Sequence, residues 1–273
     1  MFCSSFTATS NVVCAMATLR LNLDPLKLTW TAVGLSGVTM MTCLLLTAMR
    51  MRSDKTFLSD QSVPSLSQTA DLEPGRTLFA MGLTVSSLLF LVAAYFRFTL
   101  VALLFRNSPT MQANGRLRLL NLLSMVLAFL YALTLAVVAC FDSRDFYAFH
   151  VDSSYAFFAT AMCFNFLQTY LDWHVVHPLL SRLRHREQAP TLRLFQRRFA
   201  KIALMASSSA CSLVLLILVL AHANYSVAAV FEWLTMLQLL LFWIAVAEDF
   251  RDLTVSMTSR IADSTSGRVV QLP

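Results

Sequence analysis

Six long apolar runs constrain this chain more than any other feature of its sequence. Each is about as long as the roughly 20 helical residues that cross the hydrocarbon core of a bilayer. All seven prolines fall outside the runs, which favours unbroken helices. The runs cover residues 28–49, 78–101, 119–141, 155–176, 202–221 and 227–246. They predict an all-α fold, a polytopic membrane bundle of six transmembrane helices.

The remaining sequence offers little material for a soluble domain. Charged residues make up 13% of the 273 positions, against roughly 25% in soluble proteins. No polar stretch is long enough to fold separately. We therefore predict three parts, which are an N-terminal segment (1–27), a six-helix transmembrane domain (28–250) and a C-terminal tail (251–273).

The distribution of Lys and Arg predicts the orientation of the bundle. Fifteen of these residues fall in the N-terminal segment, the second and fourth loops and the tail, whereas five fall in the other loops. Because basic residues concentrate on the cytosolic side, both termini are predicted to be cytosolic. The fourth loop is the most basic, with Arg182, Arg184, Arg186, Arg193, Arg197, Arg198 and Lys201. It suits anionic phospholipid headgroups, and the basic charge is no argument for nucleic acid.

Two ionisable residues inside the apolar runs need an explanation, since such residues in a membrane are functional candidates. Arg97 lies 19 residues after Leu78, about 28 Å along a helix. We expect it to reach the cytosolic boundary and extend its side chain into water. Glu232 lies about 7 Å below the lumenal edge of the last run. Its carboxylate either faces lumenal water or pairs with a histidine at the start of the fourth helix.

That histidine is His150, in the stretch "FHVDSSYAFF". His150 and Asp152 lie at the predicted lumenal mouth of the fourth helix, at a depth similar to that of Glu232. A carboxylate fixes the tautomer of an imidazole and raises its basicity, as a general base requires. The same groups are equally able to hold two helices together. We name His150, Glu232 and Asp152 as candidate catalytic residues and leave both roles open.

A second polar group, Asp172, His174 and His177, lies at the predicted cytosolic end of the fourth helix. The spacing of the two histidines is compatible with a metal ion, but no third ligand has a matching spacing. We interpret the group as a solvated interface and predict neither a metal site nor a cofactor.

Three polar landmarks resemble one known family. The first lumenal loop reads "FLSDQSVPSLSQTADLEPGRTLF", the third reads "FDSRDFYAFHVDSSYAFF", and the last helix opens with "FEWL" and is followed by "EDFRDL". In length, helix count and loop order the chain resembles the Frag–DRAM–Sfk family of six-helix membrane proteins. It is most similar to the branch that remodels the lipid of GPI anchors, the post-GPI-attachment to proteins factors that are like the Cwh N-terminal domain.

The resemblance implies a Golgi or endoplasmic reticulum protein that acts on lyso-GPI, as an acyltransferase or as an obligatory helper of one. Its partners would be GPI lipid or GPI-anchored proteins, and His150 and Glu232 match the polar landmarks of the family. The "LSD" and "LQT" stretches resemble a second, non-enzymatic branch of autophagy modulators and lipid-kinase scaffolds. That branch implies a membrane adaptor in the plasma membrane or the lysosome. A transporter is disfavoured, because transporter sites use interrupted helices.

Overall fold

A computed structural model describes residues 24–53, 63–71, 73–106, 114–176, 191–221 and 225–265. Within these residues the fold is all-helical, without strands. The six long helices are α1 (Pro25–Ser53), α2 (Gly75–Arg106), α3 (Gly115–Cys140), α4 (Tyr147–Leu171), α5 (Thr191–Leu220) and α6 (Tyr225–Thr265). A short 3-10 helix (Gln68–Ala70) precedes α2, and a π-helical turn (Asp172–Val176) continues α4. The all-α prediction is confirmed.

Five of the six helices are long and apolar enough to cross a membrane. The qualifying segments are Pro25–Arg52, Gly75–Phe105, Gly115–Cys140, Phe199–Val219 and Tyr225–Phe250. The predicted fourth span, residues 155–176, lies in α4 and its π-helical turn. This helix is not among the five, because its polar side chains lower its mean hydropathy. Two of those polar side chains, Asn165 and Gln168, are buried within the bundle. The six-span count and the orientation therefore remain predictions.

Aromatic side chains from four helices form the centre of the bundle. Trp243 of α6 is 2% exposed and lies 4.9 Å, between ring centroids, from Phe90 of α2. Phe164 of α4 stacks on the same indole at 5.4 Å, and Tyr131 of α3 stacks on Phe157 at 5.3 Å. Such ring pairs stabilise a fold by about 0.5–1.5 kcal/mol each beyond the area they bury. They join α4 to α3 and α6 at the centre of the bundle.

The contact between α1 and α2 depends on a glycine. A Cβ atom added at Gly82 would lie 2.1 Å from Oγ1 of Thr39, far inside van der Waals distance. Small residues allow helix backbones to approach closely in membranes, and Gly82 has this role here. Thr39 is buried in the same contact.

The helices differ from the expected boundaries at the C-terminal end. The last apolar run stops at residue 246, but α6 continues to Thr265, so part of the predicted tail is helical. Residues 1–23 of the predicted N-terminal segment and residues 177–190 of the fourth loop lie outside the described residues.

Candidate functional site

One end of the bundle is covered by a chain segment between α1 and α2. Residues 63–71, here called the strap, lie against the first turns of α6. Trp233 donates a hydrogen bond from Nε1 to the carbonyl oxygen of Pro64, at 3.0 Å. The backbone N–H of Leu66 donates to Oε2 of Glu232, at 3.2 Å. Two consecutive residues of α6 therefore hold the strap, and Glu232 is one of them.

Glu232 lines a small cavity beneath the strap. Leu66, Ser67 and Ser154 line it as well. The other walls are apolar and come from α2, α3, α4 and α6, as Phe79, Leu83, Leu135, Val138, Phe157, Phe158 and Met236. The cavity has a volume of about 20 Å³, enough for about one water molecule. The lining thus combines a carboxylate and two serines with otherwise apolar side chains.

His150 is placed one helical turn from this cavity. Its side chain is 5% exposed, and Nδ1 lies 2.6 Å from the carbonyl oxygen of Phe141. Because a carbonyl only accepts, Nδ1 carries the proton. Ser154, which lines the cavity, donates to the carbonyl oxygen of His150 at 2.8 Å. In the described part of the chain, no hydrogen bond or ion pair joins His150 directly to Glu232, and the proposed His–Glu pair remains a prediction.

Asp152, the third candidate, is exposed. It follows His150 by two residues, which places the two side chains about 200° apart around the helix axis. His150 points into the protein while Asp152 points away from it. The two side chains therefore lie on different faces of α4, and the catalytic role named for Asp152 remains a prediction.

A carboxylate that interacts with His150 is one that sequence reasoning missed. Asp71, the last residue of the strap, accepts a hydrogen bond from Oγ of Ser143 at 2.7 Å. Burial raises the pKa of Asp71, and the bond from Ser143 and the attraction of His150 oppose that rise. No periodic pattern in the sequence predicts this contact, because Asp71 and Ser143 belong to different loops.

The loop before α4 is also attached to the start of α2. Arg76, in the first turn of α2, forms ion pairs with Asp142 at 2.5 Å and Asp145 at 3.3 Å. Asp142 is buried, and its Oδ1 also accepts the backbone N–H groups of Arg144 and Asp145. These bonds fix the loop before α4, and with it the carbonyl oxygen of Phe141 that His150 contacts, independently of the strap.

The opposite end of the bundle contains a buried cluster of four charges. Arg97 of α2 is fully buried and pairs with Asp172 and, at 3.3 Å, with Asp249. Lys201 of α5 bridges the same two carboxylates. The two cations and two anions come from four different segments, and we call them the charge cluster.

This arrangement corrects the expected position of Arg97 at the membrane boundary. Its guanidinium does not extend into water but turns inward. Gln168 accepts a hydrogen bond from Nε of Arg97 at 3.4 Å and donates one to Ser124 at 2.6 Å. A buried charge is tolerated when it is paired and hydrogen-bonded, and the carboxylates that pair with Arg97 are far away in the sequence.

Asp172 and Lys201 correct two further expectations. Asp172 is 2% exposed, whereas the sequence suggested a solvated interface. Lys201, counted with the basic fourth loop, lies within α5 and is 1% exposed. His174 is exposed and packs on Tyr170, while His177 lies outside the described residues. Among the described residues, no group of three or more potential ligands is arranged to hold a metal ion.

Comparison with known proteins gives one match. The model of the Frag1/DRAM/Sfk1/Cwh43P N-terminal domain matches residues 26–253, which include the strap, the cavity and the charge cluster. No curated protein and no solved structure matches the chain.

Proposed function

We propose that this chain, which belongs to the Frag1/DRAM/Sfk1/Cwh43P N-terminal domain family, acts in GPI-anchor lipid remodelling in the secretory pathway. It works there on lyso-GPI, as an acyltransferase or as an obligatory helper of one. The compartment is the Golgi apparatus or the endoplasmic reticulum. Family membership supports this range of functions, because the family includes proteins that remodel GPI lipids and proteins that do not.

The observation that carries the proposal is the composition of the cavity beneath the strap. A carboxylate and the side chains of two serines line an otherwise apolar space between helices. Glu232 lies seven residues into α6, about 10 Å from the start of the helix, where the headgroup and ester region of a lipid leaflet meets the hydrocarbon. A lipid with a free hydroxyl or an ester presents the matching chemistry.

Within this proposal His150 is the general base. Nδ1 is committed to the carbonyl oxygen of Phe141, so Nε2 is the nitrogen with a free lone pair. In acyl transfer it would take the proton from the hydroxyl of lyso-GPI as that hydroxyl attacks the carbonyl of an acyl ester or thioester donor. The bond between that carbonyl and the donor's leaving oxygen or sulfur would then break, and the leaving group would take the proton back from His150. Glu232 would accept a hydrogen bond from the lipid and orient it.

His150→Asn tests this role separately from the structural one. The amide nitrogen of Asn approximates Nδ1 and keeps the bond to Phe141, whereas the titratable nitrogen is lost. We expect His150→Asn to fold normally and to lower remodelling at least tenfold, to the level of His150→Ala. Anchor lipids are measured by mass spectrometry in cells that express each variant alone. Full remodelling by His150→Asn would make His150 a structural residue only.

This function requires the orientation that the distribution of Lys and Arg predicts, with both termini cytosolic. GPI lipids reside in the lumenal leaflet, so the strap must be lumenal and both termini cytosolic. Tags at Met1 and Pro273 are expected to be accessible to protease or label only from the cytosolic side of sealed vesicles. Lumenal protection of either tag would reverse the assignment of the two ends.

The direct test of the proposed function is lipid analysis of GPI-anchored proteins from cells that lack the chain. We expect lyso or unremodelled anchor lipids, with poor retention of these proteins at the cell surface. Expression of the intact chain should restore normal lipids. Unchanged anchor lipids in the deletion cells would overturn the proposal.

A second candidate, a non-catalytic adaptor, is favoured by one observation at the other end of the bundle. Lys201 directly follows the basic residues of the fourth loop and is fixed in the charge cluster. The basic segment is thus attached to a rigid part of the bundle, where it would hold anionic phospholipids or a cytosolic protein. Loss of recruitment of a cytosolic kinase or autophagy factor in the deletion cells, with normal GPI lipids, would favour this function.

A further inference from the structure

The side chain of Leu66 occupies the place where the cavity would open. Leu66 is 5% exposed, although it belongs to a segment outside the long helices. It lines the cavity together with Glu232 and Ser154, and its own N–H occupies the carboxylate of Glu232. Leu66 thus contacts the cavity in two ways: its side chain packs against the apolar lining, and its backbone N–H bonds the carboxylate of Glu232.

The cavity beneath the strap is too small for a lipid while Leu66 lines it. Pockets that bind small ligands usually measure about 300–1,000 Å³, and the space beneath the strap admits about one water molecule. No acyl chain fits while Leu66 is in place. The walls behind it are nevertheless those of a lipid site, with Phe79 and Phe157 each 2% exposed.

The strap is attached by a few hydrogen bonds and by the buried side chains of Leu66, Thr69 and Ala70. Its bonds to other elements include those from Trp233 to Pro64 and from Leu66 to Glu232, described above, and the bond from Ser143 to Asp71. Thr47 of α1 adds a weak bond to the carbonyl oxygen of Thr69, at 3.4 Å. Each such bond contributes modestly to stability, and short segments held by a few such contacts are able to open locally while the helices stay folded.

We propose that the strap is a removable cover and that Leu66 stands in the closed protein where the acyl chain of a membrane lipid binds in the open one. Displacement of the strap frees the carboxylate of Glu232 from the N–H of Leu66 and uncovers Ser154 and the aromatic wall. The identity of the lipid as a GPI lipid rests on the proposed function. The proposal that the strap is a removable cover does not depend on that function.

The cover is tested by cysteine labelling of purified protein in nanodiscs, where both ends are accessible. Ser154→Cys lies beneath the strap, and Asp152→Cys, on the same helix but exposed, is the matched reporter. Labelling with a polar maleimide is read at each site by mass spectrometry. We expect Ser154→Cys to react at least tenfold more slowly than Asp152→Cys. Equal rates would overturn the proposal.

A second variant loosens the strap without enlarging the cavity. Trp233→Phe keeps an aromatic ring and removes the Nε1–H that bonds Pro64. We expect it to speed labelling of Ser154→Cys about fivefold, the change that the loss of one hydrogen bond predicts, and to leave Asp152→Cys unchanged. If the Trp233→Phe protein does not fold, Leu66→Ala serves instead, because a smaller side chain leaves Ser154 less covered. An unchanged rate at Ser154→Cys in folded protein would contradict the proposed cover.

A photoreactive lipid tests which lipid enters the cavity beneath the strap. Phosphatidylcholine and phosphatidylinositol that carry a diazirine on one acyl chain are incorporated separately into the nanodiscs. Adducts on Phe79 or Phe157 require entry, since neither side chain is exposed to bulk lipid. We expect such adducts to increase severalfold in Leu66→Ala, and adducts confined to exposed side chains would overturn the acyl-chain assignment. Preference for phosphatidylinositol would support a GPI-type ligand.

Slow labelling of Ser154→Cys together with normal GPI lipids in deletion cells would refute the proposed function and retain the cover.

Discussion

Arg97→Leu is expected to lower the free energy of unfolding by about 3–5 kcal/mol, the cost of removing one partner from a buried ion pair. The substitution leaves Asp172 and Asp249 with Lys201 as the remaining cation of the charge cluster. Among the described residues of the cluster, one cation then faces two carboxylates. The midpoint of thermal unfolding of purified protein in detergent measures the loss.

The double variant Arg97→Leu, Asp249→Asn separates this explanation from a simple loss of packing. It restores a neutral cluster, so we expect it to be more stable than Arg97→Leu alone, although it has lost one more native contact. Arg116→Leu, an exposed arginine on α3, is the matched control and should change the midpoint little. If the double variant were less stable than the single one, charge balance would not be what holds the cluster.

Glu232→Gln is expected to reduce GPI-lipid remodelling to the level of cells that lack the chain, while the protein still accumulates in the membrane. The amide oxygen of Gln still accepts the N–H of Leu66, so the strap stays in place. The negative charge that would orient the lipid hydroxyl is removed. Anchor lipids are compared by mass spectrometry at matched protein levels.

Glu73→Gln is the control for that experiment. Glu73 is an exposed glutamate at the same end of the bundle, where it caps the start of α2 through Thr77. Its replacement has the same chemistry and should leave remodelling unchanged. Normal lipids in Glu232→Gln cells would remove Glu232 from the site and leave the cavity with a structural role.

The sequence predicts the helices well because the cost of exposing backbone polar groups to lipid leaves few alternatives to a helix. The apolar runs place all six long helices in order, although α2 begins at Gly75, three residues before the second run. The polar position of Glu232 near the start of α6 was also visible in the sequence. These features depend on local composition and on distance along one helix.

The sequence does not predict which side chains meet across helices. Distance along α2 gives the depth of Arg97 but not its direction, and an arginine near a helix end normally extends to water. Asp172 and Asp249 each stand near the end of an apolar run, where solvated charges are common. Their pairing is a property of the packed bundle, as is the contact of Asp71 with Ser143 and His150.

The charge cluster also has a consequence for the order in which the chain is made. Arg97 leaves the ribosome 75 residues before Asp172, a delay of about 4–15 s at usual rates of synthesis. During that interval Arg97 has no carboxylate partner from the later helices, and its position near the end of the span lets the side chain reach water. The buried pairs of Arg97 with Asp172 and Asp249 form only after those later segments have been made. The inward orientation of Arg97 is therefore a late event in the assembly of the bundle.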